Sequence, residues 1–134
     1  MTDQLTKLQK RFAAIPREVK QAVEPALMRT AERVANRQRQ LAPVDTGALR
    51  DSITVTGPGK PTPAHSQPGG TTVVPENAVM ITAGNDAARH VHLVEYGTAK
   101  SPAQSFFWPG FRLERNGALR TIKRAISTAV KRAR

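Results

Sequence analysis

Asp86, His90, His92 and Glu95 form the one grouping in this 134-residue chain whose residue types could hold a metal ion. Such nitrogen and oxygen ligands suit zinc, which takes four in a tetrahedron. On a strand His90 and His92 share a face, and on a helix His92 and Glu95 are neighbours, but no single conformation gathers three ligands. The residues read better as partly exposed histidines beside a packing segment. Nucleophilic serine chemistry fares no better, since Ser52, Ser66, Ser101, Ser105 and Ser127 all lack a strand-turn-helix elbow with flanking glycines. Gly57-Pro58-Gly59-Lys60 has the wrong spacing for a phosphate-cradling loop and places proline where backbone donors are needed. No catalytic group, cofactor or metal is expected.

Charge is the stronger signal. The formal net charge is +11, and it sits at the two ends of the chain. Residues 1–50 hold 10 Lys/Arg against 5 Asp/Glu, residues 51–110 hold 3 against 4, and residues 111–134 hold 8 against 1. Such ends attract polyanions, either DNA or an acidic protein surface. There is no cysteine, which excludes disulfides and thiolate metal sites. No leader pattern and no apolar run of bilayer length is visible, so a soluble protein made in the cytoplasm, without membrane contact, is expected.

Positioning elements follow from periodicity. Leu5, Leu8, Phe12 and Ile15 fit one helix. Val19, Val23, Leu27, Ala31, Val34, Gln38 and Leu41 fit a second that begins near Pro16, with Arg29, Arg33, Arg37 and Arg39 on its polar side. Pro25 is expected to kink or divide that second helix. After Pro43, Asp45 or Thr46 offers an N-cap oxygen for a short turn over 47–51. Strands are expected over 53–56 and 78–83, paired antiparallel. The 57–77 connection, with five prolines and four glycines, reads as an extended or flexible arm reaching roughly 30 Å. A short helix over 87–96 would be closed by Gly97. Pro109 suits the first position of a long amphipathic helix. Phe111, Ala118, Leu119, Ile122, Ala125, Ile126, Ala129 and Val130 form its apolar stripe, and Arg112, Arg115, Arg120, Lys123, Arg124, Lys131, Arg132 and Arg134 face elsewhere. The fold class expected is α+β, in one domain. Five of the six aromatic residues fall within 96–111, the expected packing hub.

Three phrases recur in a recognisable order: Ala42-Pro43-Val44-Asp45-Thr46-Gly47-Ala48-Leu49-Arg50, then Val94-Glu95-Tyr96-Gly97-Thr98, then Pro102-Ala103-Gln104-Ser105-Phe106-Phe107-Trp108-Pro109. Their order resembles the head–tail joining, or tail-completion, proteins of lambdoid tailed bacteriophages. That resemblance implies a small α+β structural subunit, without catalytic activity, in a ring of six copies in the virion neck. The ring would sit between a head-closure (stopper) ring and the tail terminator or tail tube. The family often has proline at the place of Ser105 and a basic residue at that of Trp108.

On this reading Asp45, Thr46 and Gly47 turn the chain into the sheet. Leu49, Ile53, Tyr96, Phe106 and Phe107 hold helix, sheet and C-terminal helix together. Glu95 pairs with Arg50 or with an arginine of a neighbouring subunit. The arm, with Pro58, Lys60, Pro61, Pro63, His65 and Pro68, orders against an adjacent ring. The basic C-terminal helix faces either channel DNA or an acidic ring. Sequence-nonspecific DNA binding through the basic helices is the alternative function.

Overall fold

A computed structural model describes residues 6–7, 17–43, 47–76, 78–100 and 102–132, and the fold is α+β. Helix α1 spans Arg17–Leu41. A four-residue helix, α2 (Ala48–Asp51), leads to strand β1 (Thr54–Thr56). Strand β2 (Met80–Thr82), helix α3 (Val91–Tyr96) and the long helix α4 (Phe107–Arg132) complete the chain order. Apolar residues at helical spacing require a partner, and α1 and α4 supply one another. They run antiparallel: Gln38, near the end of α1, meets Phe107 at the start of α4, while Val19 and Val23 pack against Ala129 near its end.

The strand pair is antiparallel, with Thr54 opposite Thr82, Val55 opposite Ile81 and Thr56 opposite Met80. It packs on α1. The main core lies where helices and ribbon meet and contains Ala35, Ala42, Leu49, Ile53, Ala83, Val91, Phe106 and Phe107.

Several expectations change. Pro25 lies within one continuous α1 and does not divide it. Its side chain is on the exposed face, where the carbonyl freed by the missing N–H can be hydrated. Helix α4 starts at Phe107, two residues before Pro109. A proline in the first turn costs no bond, because those N–H groups have no intrahelical acceptor. The N-cap position of α2 is Gly47, at φ 81° and without a side-chain cap; Asp45 and Thr46 lie outside the described residues. The proposed helix over residues 5–15 also lies largely outside them.

The 57–77 segment, expected as an extended or flexible arm, is folded back over its described residues, 57–76. Gly59 donates to Val74 O at 2.9 Å, Val74 to Lys60 O at 2.9 Å and Thr62 to Thr72 O at 2.8 Å. At the tip, Gln67 and Ala83 exchange N–H···O bonds of 2.8 and 3.0 Å, so the loop extends the ribbon edge. Thr62, Ser66 and Val74 are buried beneath it. Gly84, at φ 104°, admits this return: a Cβ there would lie 3.0 Å from the His65 carbonyl and 3.0 Å from Val91.

Candidate functional site

Two sequence phrases meet around one carboxylate. Glu95, in the last turn of α3, is 6 % exposed and points at the beginning of α4. Its Oε1 accepts the N–H groups of Phe106 (3.0 Å) and Phe107 (2.9 Å), and its Oε2 accepts that of Trp108 (3.3 Å). A helix leaves its first N–H groups without acceptors and carries partial positive charge there, so a buried anion is held by both effects. The backbone reinforces the join: Gln104 N–H donates to Val94 O at 2.9 Å, and the Ser105 hydroxyl donates to Glu95 O at 2.6 Å. Gly97, at φ 80°, closes α3 by donating to Leu93 O at 2.8 Å.

The expected Glu95–Arg50 pair is not formed. The carboxylate's bonds among the described residues go to backbone donors. Arg50 instead places Nε 3.8 Å from Asp51 at the surface. Tyr96 also departs from expectation: it is 69 % exposed rather than in the core. Its hydroxyl accepts from Trp108 Nε1 at 2.9 Å, and Trp108 meets Phe107 and Phe111 edge-on. Leu93, 45 % exposed, lies on the same helix. The result is an exposed aromatic edge beside an apolar groove lined by Gln67, Pro68, Ala83 and Val91.

Sequence reasoning missed a close contact between α1 and α4. Gln38 is 1 % exposed and donates Nε2 to the Phe107 carbonyl at 2.8 Å. Gly110 lies against it so closely that an added Cβ would stand 2.6 Å from Gln38 Cγ and 2.9 Å from its Cα. The signal was a polar residue on an apolar stripe and a glycine in the first turn of a helix. Ser52 was missed as well; its hydroxyl donates to Leu49 O at 2.6 Å and accepts from Gly84 N–H at 2.9 Å.

The geometry holds the helices together and offers an exposed edge. Among the described residues, no group of three His, Asp or Glu is placed to hold a metal. A family model described as "Bacteriophage HK97-gp10, putative tail-component" matches residues 6–97. The chain belongs to the HK97-gp10-like family. No curated protein and no solved structure gives a significant match. The family match spans α1, the ribbon and α3, including Glu95, and ends before the α4 residues that Glu95 caps.

The remaining candidate residues of this HK97-gp10-like chain are dispersed. Leu49, Ile53, Phe106 and Phe107 share the main core, whereas Thr98 is exposed and accepts from Lys100 N–H at 3.2 Å. In the loop, Lys60, Pro61, His65 and Pro68 are exposed, Pro58 and Pro63 are half-buried, and the Gln67–Pro68 peptide is cis. His65 Nε2 lies 3.4 Å from Asp86 Oδ1. Of the α4 cations, Arg112, Arg120, Lys123, Arg124, Lys131 and Arg132 are exposed and Arg115 is half-buried. No described helix is long and apolar enough to cross a membrane.

Proposed function

We propose that this phage tail-component homologue is a structural subunit of the virion neck. Six copies form a ring that completes the tail and joins it to the DNA-filled head. The ring contacts a head-closure ring on one side and the tail terminator or tail tube on the other. The protein is made in the host cytoplasm and has no catalytic role.

The observation that carries this reading is the separation of charge from exposed apolar surface. Helix α4 holds seven Lys/Arg and one acid, so bringing two such helices together opposes like charges. The edge of Leu93, Tyr96 and Trp108 belongs to the nearly neutral middle of the chain and offers large rings suited to contact between copies. Such a contact, joining unlike patches head to tail, closes into a ring when its rotation divides a full turn. The folded loop, with Val73 68 % exposed, is the surface for an adjacent ring.

Electron microscopy of particles assembled without the protein tests the role. Separate filled heads and finished tails are expected; normal virions would refute it.

A further inference from the structure

We propose that the exposed face of α4 is a sequence-independent ridge for DNA phosphates. At about 100° per residue, Arg112, Lys123, Arg120, Lys131 and Arg124 fall within an arc of roughly 120°. All five are exposed. From Arg112 to Lys131 the ridge runs about 28 Å at 1.5 Å per residue, or roughly eight base pairs of duplex. None of these five forms an ion pair among the described residues. The single acid of the helix, Glu114, is turned toward α1 and accepts from Arg37 Nε at 3.0 Å, so it does not neutralise the ridge.

The composition of the arc favours phosphate over an acidic protein. Protein interfaces gain most of their energy from buried aromatic and apolar anchors and are poor in lysine. Here the remaining exposed positions are Asn116, Ser127 and one large apolar side chain, Leu113. The aromatic residues Trp108 and Phe111 belong to the first turns and fall outside the arc. A row of donors without anchors matches repeated phosphate oxygens, whose neutralisation releases counterions and carries no base information. This ridge is independent of the ring reading, since an isolated subunit would possess it.

The test is titration of the full-length protein against two labelled duplexes of unrelated sequence, about 30 base pairs each, between roughly 50 and 200 mM salt. Equal affinity for both, falling linearly on a log–log plot, is expected. Replacing the ridge centre (R120Q, K123Q and R124Q together) should lower the slope by about three and weaken low-salt binding roughly tenfold or more. Circular dichroism should show unchanged helix content. A second ridge variant, R112Q with K131Q, should lower the slope by about two. A triple with the same charge change off the ridge (K60Q, R89Q and K100Q) should bind as the parent does. Failure to bind at the lowest salt, a clear preference between the duplexes, or equal losses from the ridge and off-ridge triples would overturn the proposal. So would displacement by polyglutamate as effective as by unlabelled duplex, which would favour an acidic protein surface.

Discussion

At one end of the helix pair, Gln38 bonds to the Phe107 carbonyl, Gly110 lets the two backbones touch and Glu95 caps the start of α4. At the other, Val19 and Val23 meet Ala129, with Leu27, Ala125, Ile126 and Val130 only partly buried around them. The first end depends on directional bonds and close approach, which fail when an atom is moved or missing. The second depends on apolar area, which can be repacked. One helix pair thus has a specified end and a tolerant end, and the specified end is where the aromatic edge is built.

Glu95→Ala should expose the contrast most strongly. It leaves three N–H groups at the helix start without their acceptor, and a loss of about 4 kcal/mol is expected in urea unfolding. Gly110→Ala should cost about 3 kcal/mol, because the methyl group forces Gln38 away and breaks its bond to Phe107, outweighing the helix propensity of alanine. Thermal melts of the purified variant give the measure. At the tolerant end, Val23→Ala should cost only about 1–2 kcal/mol. If its denaturation midpoint falls as far as that of Glu95→Ala, the two ends are not distinct. Smallest in stability is Tyr96→Ser, expected within about 0.5 kcal/mol of the parent because the ring is exposed. If copies assemble through this edge as proposed, its effect should appear instead in light scattering, as loss of the oligomer; an unchanged oligomer would remove Tyr96 from the contact between copies.

Helix α1 was legible because Val19, Val23, Val34 and their neighbours repeat at helical spacing, and the strand pair because alternating segments flank a turn-rich connection. The fate of Pro25 was not, since period does not reveal which face of a helix meets water. The loop misled through composition. Its prolines and glycines read as an arm, yet Thr62 and Ser66 donate their hydroxyls to Gly70 O, and Thr62 also accepts from Thr72 N–H. Such local side-chain bonds to backbone leave no periodic trace. Glu95 was expected to pair with Arg50, whereas its carboxylate accepts from backbone N–H groups that lie across a turn 11 to 13 residues on. A carboxylate's charge is visible in sequence, whereas the helix end that attracts it appears only once the chain is folded.

The antiparallel pairing of α1 with α4 also sets a timetable for synthesis. Gln38 and its partner Phe107 are 69 positions apart, so at roughly 5–20 residues per second the ribosome takes about 3–14 s to pass from one to the other. Throughout that interval the apolar stripe of α1 has no helix to cover it and is open to chaperones or to other nascent chains. The edge shared by Tyr96 and Trp108 is completed late, only after α4 has closed on α1.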